Sequence, residues 1–299
     1  MSLMALFFAK RYGETESPED LQQTEFFYRA ALFQSQSPIV TRIEAGMKLI
    51  SVCMVQQNME QAYEEAKYVV DLVPQMAVRS LESSDKQDLL LKIGGASPEA
   101  AGLALHLGED PMVALSLLEK GRGIFALSLD EMRADINSLE EQCPDLASRF
   151  VAIREQLSAS SRLGKTLDTD DPAWNVDESR RYEAGGEFES LIGEIRQQPG
   201  FDTFLLPPSE SEIKSAAERN PIVIINTSML RCDALLVESH QVPLTDFNHR
   251  DMIEYVRNGT FKSDEALQWL WDCVASPVLN ALGFDKPPSE GDWPHIGGS

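Results

Sequence analysis

Positive charge is what this chain has least of. Its 299 residues hold 26 Lys and Arg against 48 Asp and Glu, a formal net charge of −22, with a pI near 4.5. A surplus of that sign repels phosphate backbones and anionic lipid headgroups, so neither duplex nucleic acid nor a membrane surface is an expected partner. Cysteine is sparse as well. Cys53, Cys143, Cys232 and Cys273 are scattered and form no C-x-x-C pair. They are too few for a disulfide framework in a chain of this length, so reduced thiols and a cytoplasmic setting are expected. The histidines His106, His240, His249 and His295 show no H-E-x-x-H spacing, so no metal site and no cofactor is expected. No run reaches the roughly 18 apolar residues of a spanning helix. The apolar opening Met1–Lys10 has no basic leader and no clear cleavage site, and is not read as a signal peptide.

What the chain does have is apolar content, 43% of its residues, enough to build two ordinary domains of roughly 100–200 residues each. The first two-thirds read as helices. Ser17-Pro18-Glu19-Asp20 is a start signal: a capping serine, proline at the first helical position, and carboxylates at the positive end of the dipole. Leu21, Phe26, Phe27, Ala30, Ala31 and Leu32 then make an apolar face. Ile39, Ile43, Met47, Ile50 and Met54 follow at spacings of three and four. Asn58 opens a segment with Ala62, Tyr63, Ala66, Val69, Val70 and Val73 on one face, expected to stop at Pro74. Ser97-Pro98-Glu99 and Asp110-Pro111 repeat the start signal. Val113, Ala114, Leu117 and Leu118 form the next face, with an expected stop at Gly121-Arg122-Gly123. Ile124–Leu157 carries a further helical pattern interrupted at Pro144.

Helix pairs in series are the signature of a repeat array, in which each pair buries its face on its neighbours. Asn58 to Pro74 looks like a tetratricopeptide unit, although no strict 34-residue period is visible. An ordinary helical bundle is the other reading. From Asp168 to Glu194 there are nine carboxylates against two arginines, which reads as a solvated connecting helix or linker, or as an exposed amphipathic helix through Phe188, Leu191, Ile192 and Ile195. Then the period changes. Ser209-x-x-Glu212 is a capping box. Pro221–Ser228 is a β-branched run suited to a strand buried on both faces of a mostly parallel sheet. Cys232–Val237 and Val242–Leu244 flank Glu238–Gln241 as a hairpin, and helices are expected at Asp251–Asn258 and Asp264–Leu282. The second of these would present Leu267, Leu270, Trp271, Val274, Val278 and Leu279.

Several strings are specific in combination. Ala114-Leu-Ser-Leu-Leu-Glu-Lys-Gly-Arg-Gly123, Arg133–Glu140, Pro144-Asp-Leu and Arg149–Arg154 resemble the helical region that precedes a CHAT domain. Ile222-Val-Ile-Ile-Asn226 with Arg231-Cys-Asp-Ala-Leu-Leu236 looks like the opening strand and hairpin of that domain. Leu270–Leu279 and Asp292-Trp-Pro-His295 are similar to its following helix and the motif before its next strand. The resemblance spans roughly residues 40–296. It implies a caspase-like α/β module fused to a tetratricopeptide array, and therefore an α + α/β chain. The expected parts are a helical array at 1–157, an acidic connecting segment at 158–200 and the first half of a CHAT domain at 201–299. In the family, the motif ending at His295 runs into a core strand that carries the catalytic histidine, and a later strand carries the nucleophilic cysteine. Here Ile296 is followed by Gly-Gly-Ser, and neither catalytic motif has a counterpart.

No catalytic residue is therefore assigned. Cys232 has a structural position in the resemblance, and Cys273 reads as a small buried hydrophobe on a helix face. His106 lies in a helix, His240 and His249 in polar loop sequence, and His295 ahead of the family's core strand. Arg122 and Arg133 read as members of intramolecular ion pairs, or as bases for a partner's carboxylate. The expected function is that of a non-catalytic interaction or scaffold protein. The alternative is a fragment of a CHAT cysteine peptidase whose catalytic half lies in a downstream or separate chain. Its expected partner is a protein or peptide whose strand completes an open edge at Ile222–Asn226, with self-association through the same edge as the other outcome.

Overall fold

Local signals set most of the helix starts in the computed structural model. It describes residues 2–35, 37, 39–77, 94–126, 129–163, 186–188, 190–204, 206, 209–218, 221–237, 240–284 and 297–298. In chain order the helices are α1 (Ser2–Thr15), α2 (Pro18–Leu32), α3 (Ile39–Val55), α4 (Met59–Ala77), α5 (Ala96–His106) and α6 (Pro111–Ala126). They continue as α7 (Leu129–Gln142), α8 (Pro144–Leu163) and α9 (Glu210–Ala217). After the strands come α10 (His249–Arg257), α11 (Asp264–Leu270), a π-helical turn at Trp271–Ala275, and α12 (Ser276–Ala281). The result is an α+β chain, and no helix among the described residues is long and apolar enough to cross a membrane.

The chain divides into two compact units, each drawn from three stretches: Met1–Lys48, Tyr68–Gly94 and Lys120–Pro207 form one, and Leu49–Lys67, Gly95–Glu119 and Pro208–Ser299 the other. The expected parts, divided near residues 157 and 200, run in chain order, whereas these units interleave along it.

In the first unit Arg11 grips Asp20 with both its Nε, at 2.7 Å, and its Nη2. That pairing, not the dipole alone, accounts for a carboxylate only 2% exposed, and the Arg11 hydrogen bond holds its pKa below the usual carboxylate range. It also turns α2. The buried stripe is Asp20, Thr24, Tyr28, Ala31 and Leu32, with Thr24 Oγ1 donating to the Asp20 carbonyl at 2.8 Å. Of the expected apolar face only Ala31 and Leu32 are fully inside, and Phe26 is 62% exposed. In α3, Gly46 permits a close crossing, since a Cβ there would lie 2.2 Å from Val69 Cγ2 and 3.0 Å from Leu32 Cδ1. The expected face of α4, Ala62 to Val73, is buried throughout, but the helix runs on past Pro74 to Ala77. Proline removes one hydrogen bond, and so close to the end that loss does not stop the helix.

The glycines of Gly121-Arg122-Gly123 likewise do not end α6, which continues to Ala126; inside a helix each costs roughly 0.5–1 kcal/mol and is not a stop in itself. Ile136, Leu139, Ala147, Phe150 and Ile153 pack with Phe188, Leu191, Ile192, Ile195, Phe201 and Phe204 into one core. Phe150 meets Phe188 at 5.1 Å and Phe204 at 5.6 Å between ring centroids. The carboxyl end of the acidic segment is therefore core, not solvated connection. Its apolar residues at helical spacing outweigh its charges, and Glu194 pairs at the surface with Arg149, at 2.9 Å. The acidic residues 164–185 lie outside the described residues.

The second unit holds β1 (Ile222–Thr227), β2 (Cys232–Leu236), β3 (His240–Pro243) and β4 (Gly297–Gly298), in the order β3-β2-β1-β4. β1, β2 and β3 are antiparallel, with Val223 opposite Leu236 and Asp233 opposite Pro243. β4 runs parallel to β1, with Gly297 opposite Ile222 and Gly298 opposite Val223. The expected mostly parallel sheet is thus corrected to a mostly antiparallel one among the described residues, because the short β1–β2 and β2–β3 connections permit only antiparallel neighbours. Burial on both faces does hold. Val223, Cys232, Ala234 and Leu236 pack with Phe247, Cys273 and Val278 on one face, and α5 meets the other.

Ser209 and Glu212 close the expected capping box at the start of α9: Ser209 Oγ accepts the Glu212 N–H at 3.3 Å, and the Ser209 N–H donates to Glu212 Oε2 at 2.7 Å. The expected helix Asp264–Leu282 is present as a continuous helical run, α11, the π turn and α12, from Asp264 to Ala281. Of its expected face Val278 is buried, but Leu267 and Trp271 are 55% and 52% exposed, and Ala266 and Cys273 are buried instead.

Candidate functional site

The second unit contains a polar seam between α5 and the end of β1. Asn226 Nδ2 donates to the Pro98 carbonyl at 3.2 Å. The Met229 N–H donates to Glu99 Oε1 at 2.7 Å. Arg231 Nη1 donates to the Leu105 carbonyl at 3.1 Å. At Gly102 the helix comes so close that a Cβ would stand 2.4 Å from Ser228 Oγ. The β1–β2 connection is built around that hydroxyl, which donates to the Arg231 carbonyl at 2.9 Å and accepts the N–H groups of Leu230 and Arg231 at 3.2 and 3.1 Å. Arg231 also forks onto Asp233 through Nε at 2.8 Å and Nη2 at 2.5 Å. Asp233 has no exposed surface at all, 0%, and the two-pronged pairing is what makes such burial tolerable.

Burial pushes the Glu99 carboxyl above its ordinary pKa, and the Met229 N–H pulls only partly the other way. Glu99 Oε2 and Asn226 Oδ1 are buried with no hydrogen-bond partner among the described residues. None of these residues stands out as a motif. The available signals are that Glu99 is the sole charged residue in Ala96–Leu105, and that Arg231 and Asp233 alternate on one side of a strand.

Beside the seam is a cavity of about 350 Å³, lined by residues that include His106, Ser228, Arg231, Cys232, Asn248 and His249. It brings together one cysteine and two histidines that sequence reasoning treated separately. His106 is the last residue of α5 and is exposed. His249 belongs to no loop: it is the first residue of α10, capped by Asn248, whose Oδ1 accepts the Asp251 N–H at 2.9 Å. His240 opens β3 opposite Leu236, which again corrects the loop reading.

Cys232 is buried, 6% exposed. Burial raises its pKa, and the backbone hydrogen bond with Ser228 offsets this only partly. Burial raises Cys273 as well, in line with its place in the core. Cys53 is buried and Cys143 half-buried, and no disulfide joins any of the four cysteines. His295 and the side chains of Arg122 and Arg133 lie outside the described residues. No cluster of metal-ligating side chains occurs among the described residues.

The first unit has a second concavity, about 370 Å³, on α2 between Gln22, Glu25, Phe26, Arg29, Ala30 and Phe33. Nearby α1 exposes Leu3, Leu6 and Phe7 at 82%, 59% and 55%. Compared with protein-family models, curated proteins and solved structures, the chain matches none.

Proposed function

We propose that this chain is a non-catalytic protein–protein interaction module, a tetratricopeptide-like helical surface joined to an incomplete caspase-like (CHAT) domain in the cytoplasm. One observation carries the reading, the outer edge of β1. Ile222 and Val223 pair with β4, and beyond them Ile224–Thr227 have no ladder partner on that side among the described residues. A strand covered on both faces but unpaired at its edge is a template for an added strand. The parallel run of β4 sets the direction of the incoming segment. Its occupant is an extended stretch of a protein partner, and a second copy of this chain is the outcome that a mass measurement would reveal. The raised thiol pKa values of Cys232 and Cys273 support the non-catalytic part, since the thiolate is the nucleophile.

Hydrogen exchange on the isolated chain tests the edge. Alternate amides of Ile224–Thr227 should exchange quickly although their side chains are shielded. Strong protection throughout that stretch in a demonstrated monomer defeats the proposal. A peptide library with a thiol-directed probe tests the absence of peptidase activity: turnover that vanishes in Cys232→Ala or Cys273→Ala would overturn it. One observation favours the second reading, a peptidase whose catalytic half is supplied elsewhere. Gly297-Gly298 lies beside β1, where the CHAT resemblance puts a core strand.

A further inference from the structure

We propose that the cavity between the end of α5, the β1–β2 connection and the start of α10 binds an oxyanion, a phosphate or carboxylate group on a small ligand. The inference is independent of the β1 edge.

The lining chemistry comes first. Arg231, His106 and His249 all line this cavity, and among the described residues no Asp or Glu does, in a chain where carboxylates outnumber basic residues 48 to 26. Arg231 retains capacity. Its guanidinium has five N–H donors, and the bonds to Leu105 and Asp233 occupy one each on Nε, Nη1 and Nη2. Among the described residues one donor therefore remains without a partner on each Nη, on a side chain still 24% exposed. His249 Nδ1 is buried without a hydrogen-bond partner among the described residues, an arrangement that a ligand oxygen would satisfy. His249 also sits at the first position of α10, where backbone N–H groups and the dipole favour negative charge.

Asp233 neutralises Arg231 from the buried side, and Asp251 is held by Asn248 Nδ2 at 2.6 Å. The selectivity for an anion therefore rests on the two histidines and the remaining Arg231 donors acting together. A volume of about 350 Å³ lies at the small end of ligand cavities, which suits a compact anion rather than a peptide.

Titration of the full chain with inorganic phosphate, and separately with acetate, followed through the histidine side-chain NMR signals, tests this. Phosphate should shift the His106 and His249 signals saturably, and His249→Ala and His106→Gln should each weaken binding by about tenfold, the worth of one charge-assisted bond. Saturation by phosphate alone identifies a phosphoryl group as the ligand, and saturation by acetate as well identifies a carboxylate. Both His106, at an exposed helix end, and His249 can be changed without touching the Arg231 bonds that hold α5. No saturable shift with either anion, or equal binding by wild type and both variants, overturns the proposal.

Discussion

Glu99 and Met229 are 130 residues apart in the chain and joined by a 2.7 Å bond from the Met229 N–H to Glu99 Oε1. The acceptor is a buried carboxyl whose pKa burial raises. A carboxyl that holds its proton more tightly folded than unfolded adds stability that is complete below the unfolded pKa. That stability is lost as pH rises through the folded value. Glu99→Gln keeps the acceptor oxygen and has no proton to lose. Thermal melts across a pH series should show wild type and Glu99→Gln alike in acid, with the variant increasingly the more stable toward neutral pH. A variant that is less stable at neutral pH than in acid, relative to wild type, would show that the carboxylate is favoured where it sits.

Asp20 should behave in the opposite sense. The Arg11 hydrogen bond lowers its folded pKa, so its contribution is present above the unfolded carboxylate pKa and disappears as pH falls through the folded one. Asp20→Asn should melt below wild type at neutral pH, and the two should converge in acid. A constant difference at every pH would assign the effect to lost packing of α1 on α2 instead of charge.

The parts legible in the chain are those decided within a few residues. The Ser209–Glu212 capping box and the α4 face from Ala62 to Val73 follow from spacing alone, and both are present. The orientation of α2 was not legible, because its buried stripe carries Asp20 and Thr24, and Asp20 is tolerable inside only through Arg11 on another helix. The π turn at Trp271–Ala275 has no compositional mark. The seam was the least legible. Pro98, Glu99 and Leu105 find Asn226, Met229 and Arg231 across more than a hundred residues, and no local period encodes which helix will cover a strand.

Leu118 tests the burial of the α6 face. It is 2% exposed, and Leu→Ala at such a position costs about 2–5 kcal/mol. Cys232→Ala removes a single sulfur from the core and should cost less. Denaturant midpoints for the two variants check the ranking, and a Leu118→Ala chain as stable as Cys232→Ala would mean that this face is not core.

Gly102 should resist the substitution that helix propensity favours. In an open helix position Gly→Ala is stabilising by roughly 0.5–1 kcal/mol, and Gly13, with nothing within 4 Å of its would-be Cβ, should show that gain. At Gly102 the Cβ would stand 2.4 Å from Ser228 Oγ and 3.0 Å from Ser228 Cβ. The hydroxyl cannot swing aside cheaply, because it bonds to the Arg231 carbonyl and to the N–H groups of Leu230 and Arg231. Relief then requires α5 to back away from β1, stretching the Asn226–Pro98 and Glu99–Met229 bonds. Overpacking of this kind costs about 1–3 kcal/mol, so Gly102→Ala should be destabilised where Gly13→Ala is not. Ser228→Gly lowers stability by itself through the lost turn bonds, yet in its presence the Gly102→Ala penalty should shrink, a coupling readable from a double-mutant cycle. A Gly102→Ala chain at least as stable as wild type would separate α5 from the β1–β2 connection and remove the close approach on which the seam depends.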